Sequence, residues 1–249
     1  MTRFATAPDG IRLAYETVGE GEPIVLVHGF ASDRAQNWKN VGWYETLTGA
    51  GRRIVAMDCR GHGLSDKPHD EISYGDKMVG DILTVMDAAE VPRADVMGYS
   101  MGAFLTIGLL MTRPERIRRA VCAGVGETYF NRDSHRPGIA KALRAADPST
   151  IADPIQKAFR AFASQPGKDR EALAACMGAD RTLYTREQLG TCTVPVLVVD
   201  GAKDIQAGSP GPLAQAFADG RAAVVPNRDH MTAVGDKVYK DAVIAFLTA

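Results

Sequence analysis

Ser100 sits in the stretch Gly98-Tyr99-Ser100-Met101-Gly102, where an apolar run, Ala94 to Met97, meets a long helix-like run, Ala103 to Thr112. A serine at a sharp strand-to-helix turn is forced into a strained backbone, with its hydroxyl standing clear of the sheet. The same turn brings strand and helix so close that positions two before and two after the serine tolerate little more than glycine. Gly98 and Gly102 meet that requirement. By composition alone the pattern is a weak signal, with roughly 0.08 chance matches per chain. A serine hydroxyl is a poor nucleophile at neutral pH and needs a base within hydrogen-bond reach. Only two of the five histidines follow Ser100, His135 and His230.

The elements that must position these groups follow from periodicity. Arg3 to Ala7 and Ile11 to Val18 read as a hairpin around Pro8-Asp9-Gly10. Four further apolar runs, at Ile24 to Val27, Arg53 to Met57, Ala94 to Met97 and Ala120 to Ala123, read as strands buried on both faces. Helix-length connections lie between them: Val41 to Ala50, Tyr74 to Ala89 and Ala103 to Thr112. Such alternation implies a parallel sheet covered on both faces. From Glu127 to Tyr184 no strand pattern appears. Apolar residues there recur at helical spacing, punctuated at Pro137-Gly138, Pro148, Pro154 and Pro166-Gly167, which predicts three short inserted helices. Strands resume at Pro195 to Val199 and Ala222 to Val225, with helices at Pro212 to Phe217 and Lys237 to Leu247. The expected fold is therefore α/β, a mostly parallel, twisted sheet of eight strands with helices on both faces. The core takes residues 1–126 and 185–249, and residues 127–184 form a helical cap inserted in it.

In an open parallel sheet, ligands bind beyond the carboxyl ends of the strands. This chain puts its polar, glycine-rich peptides at those ends: His28-Gly29-Phe30, Asp58 to Gly63, Ser100, Asp204 and Asp229-His230. Composition narrows the partners. The formal net charge is −1 and no basic stripe with interleaved aromatics occurs, so nucleic-acid binding has no electrostatic support. Met1 to Glu16 lacks the apolar segment of a signal peptide, and the longest apolar run, Ala103 to Met111, is too short to span a bilayer. Cys59, Cys122, Cys176 and Cys192 show no metal-ligand or paired spacing and read as buried reduced thiols, which points to a cytoplasmic protein. Only Cys59, beside Arg60, comes near the setting of a reactive thiol. Oligomeric state is not legible.

Five peptides taken in order resemble the α/β-hydrolases of the capped, esterase-like kind: His28-Gly29-Phe30, Asp58-Cys59-Arg60-Gly61-His62-Gly63-Leu64-Ser65, Gly98-Tyr99-Ser100-Met101-Gly102, Gly201-Ala202-Lys203-Asp204 and Asp229-His230. The resemblance runs from about Phe4 to the C-terminus. It implies a nucleophile elbow at Ser100, a triad running Ser, acid, His along the chain, and no metal or organic cofactor. His230, between the last strand and the last helix, takes the place of the base, whereas His135 falls in the cap. The acid is Asp204, with Glu127 as the second choice and Asp200 and Asp229 as further neighbours. The oxyanion donors implied are the N–H groups of Phe30 and Met101, with His28, Gly29, Gly98 and Gly102 as the supporting turns. Arg60, His62 and Ser65 read as scaffold. Trp38, Trp43, Tyr129, Phe130, Phe159, Phe162 and Met177 are candidates for an apolar acyl pocket, though each taken singly reads as core. The expected reaction is hydrolysis of a small carboxylic ester or lactone. A peracid-forming or carbon–carbon bond hydrolase, or a catalytically silent ligand-binding protein, is the alternative.

Overall fold

The computed structural model describes residues 1–131 and 135–249; within the expected cap, residues 132–134 and the side chain of His135 lie outside the described residues. Eight strands form one sheet: β1 (Arg3–Thr6), β2 (Arg12–Val18), β3 (Glu22–Val27), β4 (Arg52–Met57), β5 (Ala94–Tyr99), β6 (Ile117–Ala123), β7 (Val196–Gly201) and β8 (Gly220–Val225). Their order is β1-β2-β4-β3-β5-β6-β7-β8. β1 and β2 pair antiparallel, as do β2 and β4. Every other pairing is parallel.

The pleat explains the apolar runs. Along β3, Val25 and Val27 enter one core while Ile24 and Leu26 enter another on the opposite face. β4 repeats this with Val55 and Met57 against Ile54 and Ala56. Alternate side chains point to opposite faces, so a strand apolar at every position needs cover on both sides. Helices α1 (Trp43–Gly49), α2 (Lys77–Ala88) and α3 (Met101–Thr112) provide it. α2 and α3 contribute Met78, Ile82, Leu105 and Leu109 to the first core, and α1 contributes Trp43 and Leu47 to the second.

The strand-free stretch contains three helices, α4 (His135–Arg144), α5 (Pro154–Ala163) and α6 (Arg170–Gly178), inserted between β6 and β7. They share a small core of their own, with Ile139, Leu143, Ala163, Leu173 and Met177 packed around Ala31. Asp153 and Asp169 cap α5 and α6 by accepting from Gln156 N–H and Ala172 N–H. Three short or terminal helices complete the chain: α7 (Arg186–Leu189), α8 (Gly211–Ala214) and α9 (Lys237–Thr248). α9 adds Tyr239, Val243 and Phe246 to the second core.

Element limits differ from expectation where polar residues disguise structure. β3 begins at Glu22, through Pro23, because a proline at the start of a strand costs few ladder bonds. β6 begins at Ile117, three residues early, since Arg118 reaches back to Asp95 and Glu22. Pro137-Gly138 does not punctuate; it lies in the first turn of α4, where proline is tolerated. A single π-helical turn, Ala35–Lys39, occupies the stretch that reads as a loop.

The end of the sheet away from the site is tied by charge. Arg52 on β4 donates to Asp95 on β5 at 2.8 Å and to the Leu247 carbonyl of α9 at 2.5 Å. Asp95 is fully buried, and burial pushes its carboxyl up to about 6 against the pull of Arg52. Removing Arg52 would leave Asp95 with Arg118 as its remaining cationic partner, at 3.0 Å, and would strip the Leu247 carbonyl of its donor. Arg52→Met should therefore destabilise the fold by about 1–3 kcal/mol in urea denaturation, through the lost charge-assisted bonds to Asp95 and Leu247. Its activity per folded molecule should stay unaltered, because the pair lies at the opposite end of the sheet from Ser100; a loss under 1 kcal/mol would mean the pair contributes little.

Candidate active site

Ser100 lies between β5 and α3 with φ 51° and ψ −113°, in the left-handed half of backbone space that costs a non-glycine residue on the order of 1–3 kcal/mol. Its N–H is held by the Ala123 carbonyl at the end of β6, 2.7 Å away. The two flanking glycines are demanded by space. A Cβ on Gly98 would stand 2.2 Å from the Gly102 carbonyl oxygen, and one on Gly102 would stand 2.0 Å from that of Val27. Gly29 is less constrained than its expected role suggests. A Cβ there would meet only ordinary contacts, with the Tyr99 carbonyl oxygen at 3.4 Å and Asn37 Oδ1 and the Ser100 Cβ at 3.5 Å.

His230, in the loop after β8, brings its Nε2 to 3.0 Å from Ser100 Oγ. Its Nδ1 lies 2.8 Å from Asp204 Oδ2. A carboxylate only accepts, so Nδ1 carries the proton and the Nε2 lone pair faces the serine. Asp204 is 4% exposed. Its other oxygen accepts from Gln206 N–H and Ala207 N–H, at 3.0 and 2.9 Å, which holds the carboxylate oriented towards His230. The loop of His230 is fixed from below, where Tyr99 OH donates to the His230 carbonyl at 2.5 Å.

The other acids are occupied elsewhere. Asp229 accepts from Met231 N–H, Thr232 N–H and Thr232 OH within its own turn. Glu127 opens a short 3-10 turn and is exposed. Asp200, at the end of β7, is 1% exposed; one oxygen accepts from Val125 N–H at 2.9 Å, and the other is buried without a partner among the described residues. Burial, reinforced by the Asp204 charge, pushes its carboxyl up to about 8. Two neighbouring acids are thus divided by environment, Asp204 surrounded by donors and Asp200 buried, with burial favouring its protonated form.

Phe30 and Met101 flank Ser100 from two elements, the β3 end and the α3 start. Among the described residues the N–H of neither has a protein acceptor. Gly29 N–H is held by Asn37 Oδ1 at 3.0 Å, which orients the loop bearing Phe30. Asn37 was not singled out from sequence, since a polar residue in an apparent loop carries no periodic signal.

His28 is fully buried. Its Nδ1–H donates to the Gly29 carbonyl at 2.7 Å, and its Nε2 accepts from Cys59 N–H at 2.9 Å. Burial holds its pKa below the ordinary value, so a neutral ring ties the β3 loop to the β4 loop. His62 is likewise buried and held neutral, by burial and then by His28. Arg60 forks between Asp81 and Asp9, and Ser65 OH donates to the Asp58 carbonyl, as a scaffold requires. Cys59 is inert, its thiol pushed well up by burial.

Above Ser100 opens a cleft of about 510 Å³, walled by Phe30, Val41, Phe159, Phe162, Met231 and Val234. Of the candidate pocket aromatics, Phe159 and Phe162 line it, whereas Trp38, Trp43 and Tyr129 are core. Gln36, Asn37 and Gln206 supply polar points on its wall.

An eight-stranded, mostly parallel sheet carrying a serine on a strained strand–helix turn, with histidine and aspartate brought to it from later strand ends, defines a class of α/β enzymes. A family model described as the alpha/beta hydrolase fold matches residues 22–152, and the chain belongs to this family of hydrolases. It is 30% identical over 185 residues to 2-hydroxy-6-oxo-2,4-heptadienoate hydrolase of Pseudomonas putida, covering 69% of this chain and 66% of that one. Matches to the curated relatives span from about two-fifths to two-thirds of their length. A hydrolase of Pseudomonas aeruginosa superposes with a TM-score of 0.80 at 27% identity, covering 100% of this chain and 98% of that one. The enol-lactonase of Burkholderia xenovorans superposes at 0.75 with 25% identity, covering 99% and 100%.

Two outcomes test this geometry. Gly102→Ala should lower stability by about 3 kcal/mol through forced separation of α3 from β3, and the folded fraction should lose the reactivity of Ser100 towards a fluorophosphonate. Full labelling of a stable variant would mean the elbow relaxes around a methyl group. The second outcome concerns Asp200. Its pKa in the fold is about 8, against roughly 4 for a carboxyl in the unfolded chain. Between these values the folded state holds a proton that the unfolded chain has released. The stability this gives is complete below about pH 4 and is lost as pH rises towards 8. Asp200→Asn removes the titration, so its stability relative to the parent should climb from pH 4 to pH 8 and level off above. A constant difference across that window, in urea denaturation at several pH values, would show Asp200 ionised.

Proposed function

We propose that the chain is a serine hydrolase that cleaves a small carboxylic ester or lactone through an acyl-enzyme. The observation that carries the proposal is His230 bridging Ser100 and Asp204, at 3.0 and 2.8 Å, beneath an apolar cleft. Ser100 Oγ attacks the carbonyl carbon as its proton passes to His230 Nε2. The oxyanion formed lies against the N–H groups of Phe30 and Met101, the second at the N-terminus of α3. Asp204 stabilises the imidazolium and holds its tautomer. Collapse of the tetrahedral species expels the alkoxide, which takes the proton from His230. Water then attacks the acyl-serine, gives its proton to His230, and the second collapse releases the acid and restores the Ser100 hydroxyl. In this reading α4, α5 and α6 act as the cap, and Phe159 and Phe162 on α5 select the apolar part of the substrate. The scheme draws on the side chains and backbone N–H groups of this chain and calls on no metal or organic cofactor.

The lactonase likeness supports ring-opening of a lactone by the same steps. The heptadienoate hydrolase likeness favours a second reading, cleavage of a carbon–carbon bond beside a ketone. No helix among the described residues is long and apolar enough to cross a membrane, and four buried free cysteines support a cytoplasmic setting.

Hydrolysis of p-nitrophenyl butyrate should fall at least about 10³-fold in kcat for Ser100→Ala and for His230→Ala. Asp204→Asn should fall about 10⁴-fold with KM little altered, because the imidazole is then held in the wrong tautomer. Turnover that survives Ser100→Ala overturns the nucleophile. Absence of fluorophosphonate labelling in the folded parent would favour a silent ligand-binding protein. Faster turnover of a vinylogous β-diketone than of any ester or lactone would favour the second reading.

A further inference from the structure

A second cavity, of about 460 Å³, adjoins the catalytic cleft, and Ser32 and Gln36 line both. Its wall is of different chemistry. Where the cleft is aromatic and aliphatic, this cavity carries Ser32, Asp33, Gln36, His62, Lys67 and Lys168. Neither lysine has a carboxylate within 4 Å among the described residues. Lys67 Nζ spends two of its three donors on the Gly63 and Ser65 carbonyls. Lys168 Nζ donates to Gln165 Oε1 at 2.8 Å and stands 3.5 Å above the ring of Phe162, the residue that lines the cleft on the other side. The one acid of the cavity, Asp33, accepts from Ala35 N–H and Gln36 N–H through Oδ1, at 2.8 Å each, and forms no ion pair within 4 Å with either lysine. His62 is neutral and adds no charge.

A half-buried ammonium without a counter-ion is unfavourable unless something supplies the missing charge. Burial, opposed only by Asp33, brings the Lys168 amine down to about 8. An anion entering the cavity would balance the ammonium charge and complete both lysines' donor sets. The wall shared through Ser32 and Gln36 makes the two cavities neighbours, so one molecule could reach both. Resting on the ester reading above, we propose that the natural substrate is an ester or lactone whose far end bears an anionic group, a carboxylate in the simplest case, held in this cavity by Lys168 and Lys67.

Two matched pairs of esters test the idea and tell which side of the ester faces the cavity. Ethyl hydrogen adipate differs from ethyl hexanoate only in its terminal carboxylate on the acyl side. 6-Acetoxyhexanoate differs from hexyl acetate in the same way on the alcohol side. In one pair the anion should be preferred by about tenfold in kcat/KM. The preference should fall at least severalfold in Lys168→Met and in Lys67→Met, and it should weaken with added salt. Equal turnover within both pairs, or a preference that survives both substitutions, overturns the proposal. A binding measurement separates its failure from that of the ester reading. By calorimetry, Ser100→Ala should bind ethyl hydrogen adipate or 6-acetoxyhexanoate, and the double variant with Lys168→Met should bind it about tenfold more weakly. Such binding without any ester turnover in the parent keeps the anion site and sinks the ester reading. Turnover of neutral esters with no lysine-dependent binding does the reverse.

Discussion

The α-carbon of Gly102 meets the Val27 carbonyl with no room for a methyl group, and the rest of the site is built on that contact. It seats the first turn of α3 on the end of β3. With strand and helix so close, the residue joining them cannot take an ordinary conformation, and Ser100 is held at φ 51°. The same contact brings the N-terminus of α3, with the Met101 N–H, beside the loop that bears Phe30. The proposed nucleophile, the proposed oxyanion donors and the helix dipole are therefore consequences of one close approach rather than separate devices.

The strain of that approach is offset by what surrounds it. α3 is buried along nearly its whole length, from Met101 to Leu110. A helix apolar on all sides has nowhere to go but the interior. It is pressed onto β5, which is buried at every position. The Arg52–Asp95 pair anchors the far ends of β4 and β5, and Ser100 N–H is tied to β6. The elbow is thus over-determined by its packing, which is what allows a strained residue to persist.

Electrostatics then divide similar groups into different roles. Asp200 and Asp204 lie four residues apart, yet Asp204 accepts from Gln206 N–H, Ala207 N–H and His230 Nδ1–H, while Asp200 sits in a dry setting that favours its protonated form. The histidines divide likewise. His28 and His62 are buried and neutral, knitting two loops, while His230 faces a serine and an acid. The lysines of the second cavity follow the same logic, since a charge left without a partner at a cavity wall points to the ligand that would match it.

The order of strands and helices, the double-sided burial of β3 to β7 and the strand-end placement of His28, Ser100, Asp204 and His230 were legible in the amino-acid sequence. Hydrophobic period and glycine spacing are local properties, and they carry that information. Which of Asp200, Glu127, Asp204 and Asp229 faces His230 was not determined by such local signals, because it depends on side-chain direction, and Asp204, which does face it, lies 26 residues away. Asn37 was hidden for the same reason, as it acts on Gly29 through a turn without apolar periodicity. Among the aromatics, only packing separated Phe159 and Phe162, at the cleft, from Trp38 and Trp43, in the core. Composition also gave no hint that a second, basic cavity adjoins the first. Sequence determined the frame and the order of the reactive groups, while the tertiary structure decided their partners, charges and company, since those are set by distances that no one-dimensional pattern encodes.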